Sequence, residues 1–93
     1  MSYEYYIYTE PSLGAFSAIA CALRQSYGNL IVHTDNQSLH VPDRASGWEL
    51  IGMSTEDDGF FLVTNLGRGR AAMLEAVGQA LSAIEVSWRI EDA

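Results

Sequence analysis

The chain has 93 residues, of which 48% are hydrophobic, and this composition excludes a disordered tail and a collagen-like fibre. Twelve acidic residues oppose five basic ones, and the formal charge of −7 argues against nucleic-acid binding, which needs a basic surface. One cysteine cannot form an internal disulfide, and no apolar run approaches the roughly 20 residues that cross a membrane. The first residues lack the basic and apolar segments of a secretory signal. We therefore expect one domain, residues 1–93, in the cytoplasm, with no membrane contact and no nucleic-acid partner.

The basic residues limit the catalytic mechanisms that the chain could use, because all five are arginine and none is lysine. Arginine forms planar, bidentate contacts but is a poor Schiff-base or general-base group, so lysine-dependent catalysis is excluded. A strongly acidic surface attracts a cationic partner and raises its rate of encounter. The alternative interpretation is that the acidity only keeps a small protein soluble.

The start of the chain predicts a strand followed by a helix. Tyr3–Thr9 is aromatic and β-branched, which favours a strand. After it, Thr9 or Ser12 is expected to cap the free amides of a helix. Apolar residues then recur at spacings of three and four, at Leu13, Phe16, Ala20, Leu23 and Tyr27. Gly28 is predicted to close this helix in a left-handed conformation.

The middle of the chain predicts a run of short antiparallel strands. They are expected at Leu30–Thr34, Ser38–Val41, Trp48–Ser54 and Gly59–Leu66. Residues 34–37 form a turn cluster, and Pro42 ends the second strand because it cannot donate a ladder hydrogen bond. Asp58 and Gly59 predict a hairpin turn, since glycine accepts the positive φ of a tight reversal.

The end of the chain predicts a second helix and a last strand. After a turn at residues 67–69, apolar residues recur at helical spacing at Ala71, Leu74, Val77, Leu81 and Ile84. Val86, Trp88 and Ile90 then alternate with polar residues, which favours a strand with one buried and one solvated face.

The order of these elements predicts an α+β fold: a two-layer sandwich with an antiparallel sheet and both helices on one face. A ferredoxin-like plait, or a variant of it with an extra short strand, is the simplest arrangement. An architecture of this kind hosts many unrelated functions, so function has to be argued from particular side chains.

Aromatic residues on both faces of the first strand are the main functional signal. Tyr3, Tyr5 and Ile7 alternate with Glu4, Tyr6 and Tyr8, where a solvated face should be mostly polar. One interpretation is that loops bury the strand on both sides. The other is that the helix-free face carries a tyrosine-rich contact patch, because tyrosine is enriched at interfaces. Such a patch suits a homodimer or a basic partner.

We therefore expect a non-enzymatic, acidic protein-binding module without a cofactor or metal. The boldest form of this hypothesis is an inhibitor or immunity-type protein that occludes a basic partner such as a toxin nuclease. The expected partner-binding residues are Glu4, Tyr6, Tyr8, Trp48, Glu49, Glu56, Asp57 and Asp58. Carboxylates would take the place of an anionic substrate, while the aromatic side chains anchor the contact.

The alternative hypothesis is a dimeric small-molecule-binding or enzymatic domain with an anion site. Gly67, Arg68, Gly69 and Arg70 lie between a strand and a helix, where free amides and the helix dipole favour an anion. Arg89 would assist them from the last strand. In the other interpretation of this segment, the glycines only allow the chain to turn. The arginines then pair with Glu75 or with the acidic hairpin at residues 56–58.

The remaining reactive residue types carry weaker signals. Cys21 lies on the first helix without a general base next to it, and we expect a small buried hydrophobic residue rather than a nucleophile. His33, Asp35 and His40 are the only cluster of metal-ligand types, and the turn chemistry of Asp35 explains them more simply. We therefore predict no catalytic and no metal-binding residues.

Overall fold

The computed structural model describes residues 2–93, whose strands form one antiparallel sheet of six strands with order β2-β3-β4-β5-β1-β6. The strands are β1 (Tyr3–Thr9), β2 (Ile31–His33), β3 (Ser38–Pro42), β4 (Glu49–Glu56), β5 (Gly59–Thr64) and β6 (Trp88–Asp92). The helices are α1 (Ala15–Ser26) and α2 (Arg70–Ala83), and neither is long and apolar enough to cross a membrane. The predicted two-layer α+β fold is confirmed, whereas the ferredoxin-like assignment stays a prediction.

One hydrophobic core lies between the sheet and the two helices. On β1, Tyr5 and Ile7 point into it, and Ile7 is opposite Phe60 of β5 on one side and Ile90 of β6 on the other. The other strands contribute alternate residues in the same way, as the period of two in a strand requires. The fully buried side chains include Ile7, Ile19, Leu23, Ile51, Leu62, Val77 and Leu81. Each contributes about 1.5–3 kcal/mol through removal of apolar surface from water.

The start of α1 differs from the predicted one. Leu13 is fully exposed, and the helix begins only at Ala15, with Gly14 as a cap that offers no side chain. The hydroxyl of Ser12 accepts a hydrogen bond from the Gly14 amide at 3.2 Å. It therefore stabilises the segment before the helix and does not bond an amide of the first helical turn. The predicted place of Leu13 on the buried helix face is therefore wrong.

The end of α1 also differs. Tyr27 ends the helix, and its amide donates to the Leu23 carbonyl at 2.8 Å. Gly28 is not among the positive-φ residues, so the predicted left-handed closure is wrong. The amide of Leu30 donates to the Tyr27 carbonyl at 3.1 Å, which turns the chain towards β2 without a left-handed residue.

The predicted β4–β5 hairpin is present and Gly59 has the predicted positive φ, but Gly59 lies directly after the turn rather than within it. The two turn residues are Asp57 and Asp58, and Gly59 already pairs with Glu56 as the first residue of β5. Gly59 has a φ of +148°, and a Cβ added there would lie 1.9 Å from the carbonyl oxygen of Ile7. Glycine is therefore required both by the positive φ and by the close approach of β5 to β1, and only the second requirement was not predicted.

A second close approach joins α2 to β6. The indole of Trp88 lies over Gly78, where an added Cβ would be 2.6 Å from the ring, and its Nε1 donates to the Ser82 hydroxyl at 2.8 Å. Val86 is buried as predicted, while Ile84 lies beyond the end of α2 and is 42% exposed. The small residue in the middle of α2 therefore lets the last strand pack closely.

We predict that Gly59→Ala lowers the free energy of unfolding by about 3 kcal/mol, the upper end of the range for a residue held in a conformation that only glycine adopts easily. The matched control is Gly28→Ala, because Gly28 is exposed and has no atom within 4 Å of an added Cβ. Urea denaturation followed by circular dichroism measures both. Equal midpoints for the two variants would contradict the close approach of Gly59 to Ile7.

Candidate functional site

The sheet face opposite the helices is the candidate site, and no helix of residues 2–93 lies on it. The strand pairing places residues of all six strands there: Ile31, His33, Ser38, His40, Gly52, Ser54, Phe61, Val63, Glu4, Tyr6, Tyr8, Arg89 and Glu91. Tyr6 and Ile31 remain about two-fifths exposed, at 39% and 42%. The first strand is therefore not buried on both sides, and its outward residues are available for contact.

An aromatic cluster occupies the centre of this face. Tyr6 lies directly opposite Phe61 on β5, with ring centroids 5.2 Å apart, and is 5.9 Å from the ring of Tyr8. Tilted pairs at these distances attract each other through their ring quadrupoles. The cluster therefore holds its side chains in place before any partner arrives, which lowers the entropy lost on binding.

A shallow groove of about 560 Å³ runs along β4 beside the cluster. Its floor contains Gly52 and Ser54, and Phe61 of β5 forms one wall. His33 and His40 form the other wall, with stacked rings 5.3 Å apart. Small residues between two walls of larger side chains leave a depression that a partner's side chains can fill.

Glu49 lies at the end of this groove, and Trp48 borders a neighbouring depression that Glu49 and Val63 also line. Trp48 is 73% exposed, and its backbone is fixed because its amide donates to the Ser46 hydroxyl and its carbonyl accepts from the Asp43 amide. The carboxylate of Glu49 lies above Gly52, 3.0 Å from where a Cβ would be. The predicted pair of an aromatic and an acidic residue is thus presented at one end of the face.

The acidic hairpin, residues 56–58, lies beside Tyr8, towards the C-terminal end of β1 and away from Glu49. Glu56, Asp57 and Asp58 line a recess of about 260 Å³ together with Tyr6 and Tyr8. All three acidic residues are exposed, and the recess joins carboxylates to aromatic ring surface. Both components attract a cation, the first by charge and the second by the ring quadrupole.

The charges are divided unequally between the layers. The helices contain only Arg24, Arg70 and Glu75 as charged residues, so eleven of the twelve acidic residues lie in strands and connecting segments. The helices therefore carry a net charge of +1 and the rest of the chain −8. The negative potential is concentrated on the sheet and its connections.

The structure separates the residues of the alternative anion site. Arg70 donates from Nη1 to the Leu66 carbonyl at 3.1 Å, and its guanidinium carbon lies 3.5 Å from the centre of the Tyr3 ring. Arg89 instead lies opposite Tyr8 and pairs with Glu91. Tyr3 and Tyr8 are at opposite ends of β1 and on opposite faces, so Arg70 and Arg89 do not meet.

Gly67, Arg68 and Gly69 form the turn before α2, and Gly69 caps the helix with a φ of +87°. Arg68 is exposed, whereas Arg70 is half-buried against Tyr3. In the interpretation of this segment as a purely structural turn, the arginines pair with Glu75 or the acidic hairpin. Arg70 pairs with neither, because its guanidinium contacts the Leu66 carbonyl and the Tyr3 ring. The turn therefore places Arg70 against the Leu66 carbonyl and the Tyr3 ring, while Arg68 remains in solvent.

The structure separates Cys21 from His33, the residue types that could act as nucleophile and base. Cys21 is exposed on α1, so its predicted burial is wrong. It borders a groove with Val32 on the helix side of β2, while His33 faces the other side of the same strand. In the described part of the chain, no three histidine, cysteine or acidic side chains are placed to hold a metal ion.

Comparison with known proteins gives no family for the chain. No protein-family model matches it, and neither a curated protein nor a solved structure does. The properties that bear on function are therefore the shape, the charge and the aromatic content of the helix-free face.

We predict that Trp48 is the more accessible of the two tryptophans. Trp88→Phe leaves Trp48 as the only indole, and Trp48→Phe leaves Trp88, which packs on Gly78 and is 41% exposed against 73% for Trp48. Acrylamide should quench the fluorescence of Trp88→Phe more strongly than that of Trp48→Phe. Circular dichroism checks that both variants are folded, and equal or reversed quenching would contradict the exposure of Trp48.

Proposed function

We propose that the protein is a non-enzymatic binding module whose helix-free sheet face docks a basic protein. The observation that carries the proposal is the coincidence of three properties on one face: an aromatic cluster, exposed carboxylates and, within residues 2–93, no covering helix. Partly exposed aromatic side chains supply the apolar contact area typical of interface hot spots. Carboxylates around them steer a cationic partner and set its orientation.

The shape of the face supports a protein partner more than a small molecule. Small ligands bind in concave sites that enclose most of their surface. The groove along β4 and the recess beside Tyr8 are both open and shallow. Tyr3 and Tyr5 face the helices whereas His33 faces the other side of the sheet, so these side chains do not share a pocket. A broad surface with small depressions is the form that protein interfaces take.

The charge supports a basic partner more than a second copy of the chain. Two copies docked face to face would bring the Glu4, Glu49 and Glu91 carboxylates of each towards those of the other. Like charges placed together at an interface oppose association. A basic protein instead gains attraction from the same groups, and the net charge of −7 favours its encounter at long range.

An inhibitor of a nuclease is one function that such a face could perform. Nucleases bind a polyanion through basic surfaces, because phosphate contacts dominate their affinity. Carboxylates of Glu49, Glu56 and Asp58 would occupy the positions of phosphates, while Tyr6 and Trp48 provide apolar anchors. The mechanism is occlusion, so it needs no catalytic group and no cofactor.

The test compares Glu49→Gln with Glu75→Gln, which remove the same charge from the sheet face and from α2. Titration calorimetry against a panel of purified basic nucleases, with pI above about 9, measures binding at low and moderate salt. We expect Glu49→Gln to weaken binding about two- to fivefold, the effect of one exposed ion pair, and Glu75→Gln to have a smaller effect. Salt should weaken binding of both, because screening reduces exposed interactions.

Three results would contradict the proposal. Absence of binding to every basic protein at both salt concentrations would remove the docking function. Equal effects of the two glutamine variants would show that net charge alone is responsible. A stable dimer in light scattering that is lost on Tyr6→Ala would assign the face to a second copy of the chain.

A further inference from the structure

Arg89 contacts the aromatic cluster from the edge of the sheet. Its guanidinium carbon lies 4.7 Å from the centre of the Tyr8 ring, directly across the β1–β6 pairing. Its Nε pairs with the carboxylate of Glu91, two residues later on the same face of β6. The ring and the carboxylate therefore hold one guanidinium between them.

This contact is easily opened, unlike the similar contact of Arg70. The side chains of Arg89 and Glu91 are 67% and 49% exposed, and β6 is the outermost strand, with solvent beyond it. Arg70 stacks on Tyr3 but is half-buried and also donates to the Leu66 carbonyl. An exposed ion pair contributes little to stability, so Arg89 can rotate away from Tyr8 at small cost.

We infer that Tyr8 and Glu91 form a binding position for an arginine side chain, which the chain's own Arg89 fills until an arginine of the partner replaces it. This inference rests on the proposed docking of a basic protein to the same face. It adds that the partner contributes an arginine at β6 and that Arg89 competes with it. Arg89 thereby sets the affinity and limits binding to partners that can displace it.

The geometry favours arginine over lysine as the incoming residue. A guanidinium is planar, stacks on an aromatic ring and presents several N–H donors to a carboxylate at the same time. Ammonium is a compact, strongly hydrated charge without a planar face. Tyr8 offers the ring, and Glu91 offers the acceptor beside it, in the relation that Arg89 already uses.

The test uses synthetic oligoarginine and oligolysine peptides of equal length as probes. Arg89→Gln removes the internal competitor, and the matched control Arg24→Gln removes the same charge from α1. We expect Arg89→Gln to bind oligoarginine about two- to fivefold more tightly than the unchanged protein, the effect of one exposed cation–π contact. Arg24→Gln should bind more tightly by a smaller factor, and the gain of Arg89→Gln should be smaller for oligolysine.

Each outcome separates this inference from the proposed function. Equal gains for Arg89→Gln and Arg24→Gln would overturn the inference, because only net charge would then matter. Weaker binding by Arg89→Gln would also overturn it, since Arg89 would then support the site rather than compete for it. Binding of basic nucleases without any binding of oligoarginine would overturn the arginine position and leave the docking function standing. Absence of binding to both nucleases and peptides would overturn the two proposals together.

Discussion

The pairing of β1 with β5 on one side and β6 on the other determines which side chains the molecule presents to a partner. Ile7 has no exposed surface and lies opposite Phe60 and Ile90, so the register of the three strands is set by the core. Because a strand alternates, fixing Ile7 inwards turns Tyr6 and Tyr8 outwards. A slip of one residue would exchange the two sets and expose the core. The surface that we propose for binding is therefore held in place by the same packing that stabilises the fold.

The edges of the sheet favour binding through a face over extension of the sheet by another strand. The outer strand β6 carries Arg89, Glu91 and Asp92, and charged side chains at an edge discourage pairing with another strand. The other outer strand, β2 (Ile31–His33), has only three residues, so it offers few backbone groups with which a strand of another chain could pair. Contacts that use backbone pairing are thus limited at both edges. The open face, with its side chains already arranged, offers the larger surface.

The sequence was sufficient for the elements and for the two faces of β1, and it failed where the outcome depended on tertiary contacts. Alternation along β1 correctly separated Tyr5 and Ile7 from Tyr6 and Tyr8. The close approach at Gly59 could not be predicted, because the carbonyl of Ile7 that excludes a side chain there is 52 positions away in the chain.

The groove along β4 was missed for a similar reason. Its floor and walls come from four strands, and only the register brings Gly52 beside His40 and Val63. Local patterns show which residues share a face of one strand, but not which residues of another strand lie beside them. Cys21 is exposed because it lies outside the buried helix face of Phe16, Ala20 and Leu23, and its burial was expected only from the usual behaviour of cysteine.

A binding face on a small protein has to be apolar enough to hold a partner and covered enough to avoid other contacts. Here Tyr6 packs against Phe61 and Tyr8, which leaves only part of each ring in solvent. Arg89 lies over the Tyr8 ring, and its pairing with Glu91 keeps that guanidinium near the sheet. Carboxylates around the cluster oppose the approach of another acidic copy. If the face docks a basic protein as we propose, the partner would bring both positive charge and a group that replaces Arg89, and the residues that cover the aromatic surface would also select what binds it.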